Sequence, residues 1–329
     1  MFKILKKFVY KGEFLEFNLE DKIKNHKNMR LIFFYVFFKK VLRNIYRIFQ
    51  RSLIKPSIRS KFSYFEVKTI NFFKKNFFYN CSFSKKECVT SLNKNAFCII
   101  DNLLTEEQIN NIKNYLLTKK KFNIIEESTN KKMEMDYYST EDLIANKEIL
   151  NVINNEKLIE IIRGYFKCDF KLDWIWSWWS YANVKSESVG PQLFHRDYEN
   201  LNFLKLFIYL TDVEGEDGSH QIIKGSNKID FFYKISRFSD EEIYSKFKEK
   251  DCSTIDGKTG KSFLANTYAI HRGLRPHKKD RLVLCYLLSL YPSRRSPKLP
   301  PINYSEIKDN KKSYLKNKNI YDLFINFNK

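Results

Sequence analysis

Residues 192–228 read QLFHRDYENLNFLKLFIYLTDVEGEDGSHQIIKGSNK, and the fold is read outward from them. Alternate residues of a strand share a face, so His195 and Asp197 point the same way and Arg196 points the other. The apolar run that follows, with turn clusters at Glu214–Gly218 and Gly225-Ser226-Asn227, predicts further short strands. An imidazole and a carboxylate spaced as His195 and Asp197 are can grip one metal ion. A second histidine from a distant strand would complete the 2-His-1-carboxylate set that suits non-heme Fe(II).

Strand-like segments are predicted at 170–182, 192–198, 203–213, 220–224, 261–268 and 281–291. Upstream, AFCIIDNLL (96–104) reads as a buried strand. Thr105-Glu106-Glu107-Gln108 is a capping box that opens a helix with Ile109, Ile112 and Leu116 on one face. Two further helices are expected over 140–153 and 156–165, a polar one over 237–250, and a short one near Ile320–Phe324. Helices followed by closely spaced strands predict a mainly β protein with flanking helices, its core a double-stranded β-helix of the jelly-roll, cupin-like kind.

A hydrophobic content of 43%, with 16% aromatic residues, excludes wholesale disorder. The formal charge of +21 is carried by the flanks: +14 over residues 1–80, +6 over 292–329, and only +1 between them. A groove-reading enzyme carries its positive charge around its site, so a nearly neutral body argues against a nucleic-acid partner. Six scattered cysteines form no Cys-x-x-Cys pair, which excludes zinc-ribbon spacing, and reduced thiols in a cytoplasmic protein are expected. Eight apolar residues, LIFFYVFF at 31–38, are too short to span a bilayer. With the basic segment after them they form an amphipathic stripe, Phe34, Phe38, Val41, Ile45 and Ile48, that would dock on the body or lie on a membrane surface through residues 29–54. Pro56 is read as the stop of that helix.

For the second histidine, His271 stands where the apolar run FLANTYAI ends, with His220 and His277 as competitors. Three protein ligands on an octahedral ion leave three positions, two for a bidentate 2-oxo acid and one for O2. The distal carboxylate of such an acid needs a cation. Arg281, ten residues past His271 and opening the strand RLVLCYLLSLY, offers a bidentate guanidinium, with Arg272 and Arg275 as rivals. Trp174, Trp176 and Trp178 share one face of a strand, as core packing or as a stacking platform at a substrate mouth, with Trp179 on the other. Lys205 could face the cavity or solvent.

The order His195-x-Asp197, apolar strand, Leu210-Thr211-Asp212, and a Gly turn leading to Gly225-Ser226-Asn227 resembles the phytanoyl-CoA dioxygenase-like family of Fe(II)/2-oxoglutarate oxygenases. Asn266–Gly273 followed by Arg281 is similar to that family's distal histidine and 2-oxoglutarate-binding arginine. Asn227 stands where the family commonly has His, at a position that is not a metal ligand. The resemblance covers residues 95–292. It implies that His195, Asp197 and His271 are catalytic and hold Fe(II), and that Arg281 binds the cosubstrate 2-oxoglutarate, with O2 as the second cosubstrate. Hydroxylation of an unactivated C–H in a small-molecule or lipid-like metabolite is the activity expected, and the family name does not carry its substrate to this chain. Asp197 is present where halogenating relatives carry a small residue, so oxygen insertion is expected. The expected organisation is a basic, partly helical extension over 1–80, the oxygenase domain over 81–292 and a basic tail over 293–329, in a cytoplasmic protein with possible peripheral membrane contact. The rival reading is a non-catalytic jelly-roll binding module docked to a membrane or partner through the basic flank.

Overall fold

The computed structural model describes residues 53–74, 83–126, 131–183, 188–215, 217–291, 293, 302–303, 318–321 and 324–326. The amphipathic segment expected over 29–54 lies almost entirely outside them. In chain order the main elements are α1 (Pro56–Lys74), α2 (Phe83–Asn95), β1 (Phe97–Ile100), α3 (Glu106–Leu117), β2 (Lys121–Glu126) and β3 (Lys131–Tyr138). Next come α4 (Thr140–Ala145), α5 (Lys147–Asn151), α6 (Glu156–Phe166), β4 (Lys171–Ser180), β5 (Phe203–Tyr209), β6 (His220–Ile223) and α7 (Asp240–Tyr244). β7 (Cys252–Ile255), β8 (Ser262–Ala265), β9 (His271–Gly273), β10 (Arg281–Ser289) and α8 (Lys318–Tyr321) follow.

Seven strands form one antiparallel sheet in the order β1-β8-β5-β10-β4-β3-β2, and three form a second, β7-β6-β9. The two sheets face each other in a jelly-roll sandwich, with helices on the outer face of the larger one. Period-two alternation decides which side chain goes where. Leu204, Leu206 and Ile208 of β5, with Leu282, Leu284, Tyr286 and Leu288 of β10, bury against Ile109, Ile112 and Leu116 of α3 and Leu158, Ile161 and Ile162 of α6. Each such fully buried aliphatic side chain stabilises the fold by about 1.5–3 kcal/mol. Phe207, Tyr209, Phe263, Val283 and Cys285 point the opposite way, toward Ile222 and Ile255 of the smaller sheet.

The capping box forms as expected, Thr105 accepting from the Gln108 N–H at 3.2 Å and Gln108 accepting from the Thr105 N–H at 3.0 Å. The expected helix over 140–153 is two helices instead. Asn146 adopts an extended backbone and caps α5, its Oδ1 accepting from Ile149 N–H at 3.0 Å. The helix expected over 237–250 shortens to α7, which opens on a Ser239–Glu242 capping box and ends at Tyr244. Pro56 begins a helix where a stop was expected. Its missing N–H and fixed φ suit a first helical position.

That helix, α1, packs on the body. Ser57 Oγ donates to Asp230 Oδ2 at 2.6 Å, and Asn202 Nδ2 donates to Glu66 Oε2 at 2.6 Å. The buried Arg59 guanidinium donates to the Asn200 carbonyl and lies 4.4 Å over the Tyr268 ring. The sulfurs of Cys88 and Cys98 meet between α2 and β1. Among the described residues no helix is long and apolar enough to cross a membrane.

Candidate active site

The segment expected as a strand over 192–198 starts as a short 3-10 turn over Gly190–Gln192 and then forms only a bridge to the smaller sheet. That bridge is what matters. His195 N–H donates to His271 O, and His271 N–H donates to His195 O, both at 2.9 Å. Residues paired this way across antiparallel strands carry their side chains on one face. The two imidazoles lie with ring centroids 4.2 Å apart. Asp197, two residues on, is fixed by its own N–H donating to Thr267 O at 2.9 Å. Arg196 faces away and locks the neighbouring loop, donating to the carbonyls of Phe232, Tyr268 and Phe231 at 2.9, 2.7 and 2.9 Å.

Each histidine is oriented from behind. His195 Nδ1 lies 2.9 Å from Leu193 O, and His271 Nδ1 lies 3.0 Å from Ala269 O. A carbonyl can only accept, so Nδ1 carries a proton and Nε2 faces inward. Those Nε2 atoms stand 3.6 and 3.4 Å from the two Asp197 carboxylate oxygens. One ligand atom from each of the three residues lies within 4.8 Å of the others. Burial, reinforced by His271, holds His195 well below the ordinary imidazole range, so it is neutral at physiological pH. Burial raises the Asp197 carboxyl, but Lys205 and His271 outweigh it and hold the group well below the usual carboxylate range. Two imidazole nitrogens and one carboxylate converging on a point are a donor set for a divalent transition metal.

Lys205 resolves toward the cavity. Its Nζ stands 2.7 Å from Asp197 Oδ2 and 3.5 Å from Glu199 Oε1, and it lies 5.2 Å over the Trp176 ring. The helix-side alternation of β5 left this position open from sequence. A lysine amid Leu204, Leu206 and Phe207 has no clear side until the sheet partners are known.

Arg281 is buried at the start of β10, donating to Gly218 O and, at 3.1 Å, to Ser180 Oγ. Gly218 has φ +95°, and a Cβ there would lie 3.0 Å from Pro276 and 3.2 Å from the Arg281 side chain. Only glycine gives both the conformation and the space. The rival arginines point elsewhere. Arg272 donates to Gln221 Oε1 at 2.8 Å and pairs with Asp240 on the outer surface, while Arg275 donates to Asn183 O. Of the rival histidines, His277 stays half-buried in the turn before β10, outside the His195–Asp197–His271 group. His220 is inside the sandwich but is not one of those three.

Trp174, Trp176 and Trp178 share the inner face as expected, each half-buried. Trp174 and Trp176 pack with Phe203, Tyr268 and Leu287 at the Lys205 end. Trp179, on the helix side, donates from Nε1 to Tyr138 Oη at 3.0 Å.

No family model matches the chain, and no curated protein matches it in sequence. Solved structures do. The epimerase SnoN in complex with Fe3+, alpha-ketoglutarate and nogalamycin RO is 12% identical, covering 65% of this chain and 87% of its own, with a TM-score of 0.50. A second structure of SnoN, described as a non-heme alpha-ketoglutarate-dependent epimerase from nogalamycin biosynthesis, gives 12% identity, 65% and 86% coverage and a TM-score of 0.51. HygX from Streptomyces hygroscopicus with nickel and 2-oxoglutarate bound is 14% identical over 68% of this chain and 92% of its own, with a TM-score of 0.47. The chain has the fold of SnoN. At this identity the likeness extends to fold and no further.

Proposed function

We propose that the protein is an Fe(II)- and 2-oxoglutarate-dependent oxygenase of the phytanoyl-CoA dioxygenase-like kind, hydroxylating an unactivated C–H of a small-molecule or lipid-like substrate. The observation that carries this reading is the convergence of His195 Nε2, Asp197 and His271 Nε2 within 4.8 Å, with Arg281 buried in the same sandwich. The reading assigns the oxygenase domain to 81–292, between a basic extension over 1–80 and a basic tail over 293–329. It agrees with SnoN, a protein of the same fold crystallised with Fe3+ and alpha-ketoglutarate.

In this reading His195, Asp197 and His271 hold the metal and Arg281 pairs with the distal carboxylate of 2-oxoglutarate. Bound Fe(II), 2-oxoglutarate and O2 supply the oxidising power for C–H hydroxylation, 2-oxoglutarate leaving as succinate and CO2. The carbonyls of Leu193 and Ala269 hold both imidazoles in the tautomer that presents a lone pair to the ion. Lys205 keeps Asp197 ionised, and Trp174 and Trp176 cover the Lys205 end against water. Anaerobic reconstitution with Fe(II) and 2-oxoglutarate, then a metabolite screen in air, should give succinate that depends on both additions. A wild-type protein that makes none with any candidate, and binds neither metal nor 2-oxoglutarate, returns the chain to a jelly-roll binding module.

This reading keeps a lipid-like substrate and peripheral membrane contact through residues 29–54, and draws support from α1 (Pro56–Lys74), which follows that segment. On α1, Tyr64 and Phe65 are 62% and 68% exposed, between Lys61 and Lys68. Aromatic and basic side chains exposed together suit an anionic lipid surface. The full chain should sediment with vesicles of mixed phosphatidylcholine and phosphatidylserine, and not with phosphatidylcholine alone. Equal recovery with both would remove the membrane from this reading.

A further inference from the structure

His220 does nothing in the scheme above, yet it lies at the heart of the sandwich. It opens β6, where it pairs with Ile255 of β7 and Gly273 of β9, and it is 5% exposed. Its ring stacks on His271 at 5.4 Å and 22°, and packs against Phe207 and Phe263 of the larger sheet at 5.0 and 5.2 Å. On one side it touches a proposed metal ligand. On the other, its register partner Gly273 lies against the Arg281 guanidinium, which donates to Gly218 two residues before His220. The imidazole therefore stands between the triad and Arg281.

His220 Nε2 is buried with no hydrogen-bond partner. Trp178 Nε1 and Arg281 Nε, on the facing sheet, are also buried and unpartnered. Leaving such an atom unsatisfied is costly, and the ring already sits in an aromatic setting where phenylalanine would pack without that cost. Three polar nitrogens left without partners in this part of the interior are the mark of a polar ligand that meets them.

We infer that His220 is a positioning residue for the dicarboxylate cosubstrate, its Nε2–H donating to the 2-oxo acid that runs between the triad and Arg281. This rests on the oxygenase reading, and it goes further by separating two affinities: His220 sets the hold on 2-oxoglutarate without contributing to the hold on the metal.

The test uses the full chain under nitrogen with Mn(II) in place of iron. Mn(II) binding and then 2-oxoglutarate binding to the Mn(II) form are measured by titration calorimetry, with thermal unfolding alongside. His220→Phe keeps the ring and removes the N–H, and His220→Gln restores an N–H donor of similar reach. The expected result is unchanged Mn(II) affinity and melting temperature in both. 2-Oxoglutarate binding should weaken about ten- to a hundredfold in His220→Phe and recover most of that loss in His220→Gln. Should His220→Phe fail to fold, His220→Leu takes its place in the comparison.

Wild-type affinity in the donor-free variant overturns the inference, and so does an equal loss in the Phe and Gln variants, which would mark a packing role. Either outcome leaves the oxygenase reading standing so long as the wild type binds Mn(II) and 2-oxoglutarate. A wild type that binds neither overturns both.

Discussion

The two faces of the larger sheet are made by the same strands and do opposite work. On the helix side, β5 and β10 present Leu204, Leu206, Ile208, Leu282, Leu284, Tyr286 and Leu288, all buried in one apolar cluster. On the inner side the alternate positions of β4, β5 and β10 include Trp174, Trp176, Trp178, Lys205, Tyr209 and Arg281, and several of their polar atoms are held by nothing in the protein. One face is closed by apolar packing alone, and the other adds the polar side chains of the candidate site to its apolar cluster. Stability and chemistry are thus separated by a single residue of register, and a one-residue slip would exchange them.

That separation can be broken from either side. The largest effect is expected from His195→Ala, which should reduce succinate formation to background while leaving the melting temperature close to wild type; retained turnover would refute the metal assignment. Leu284→Ala on the opposite face should do the reverse. It should cost about 2–5 kcal/mol of stability in chemical denaturation, with turnover per folded molecule little changed. Arg281→Lys keeps the charge but loses the planar fork, and should raise the KM for 2-oxoglutarate about tenfold or more. An unchanged KM would move the cosubstrate's anchor to another residue.

The smallest effect belongs to neither face. Asp212, in the turn before β6, is pulled down to about 2 by the Thr259 N–H and hydroxyl and by Lys258. A carboxyl lowered by folding stabilises the fold above the ordinary carboxylate range and loses that contribution as pH falls through its folded value. Asp212→Asn should therefore be slightly less stable than wild type at neutral pH, with the gap closing as the pH approaches 2. Kinetics at neutral pH should not change.

Period-two stretches and end signals were legible where local chemistry is decisive. Strands β4, β5, β6, β8 and β10 and helix α3 fall where alternation and the Thr105 capping box put them. The misses share a cause. β3, KKMEMDYY, carries too many charges to read as a strand and is made by pairing with β2 and β4. β7, CSTI, and β9, HRG, carry no apolar run of their own and are made by pairing with β6. The break at Asn146 is a cap hidden inside a helical pattern. His220 was weighed only as a metal ligand, because nothing in GEDGSHQII tells a second histidine near a metal from one that holds its cosubstrate.

By itself the sequence determined which residue types are in hand and which neighbours share a face: His195 with Asp197, the leucines of β10 with one another, the tryptophans of β4 in a row. Those are consequences of backbone geometry over two or three residues. Tertiary structure alone decided that His271 stands across the bridge from His195, that Lys205 turns inward onto Asp197, and that His220 lies between the triad and Arg281. Such relations join residues tens of positions apart, and they exist only once hydrogen bonding between strands has fixed the register.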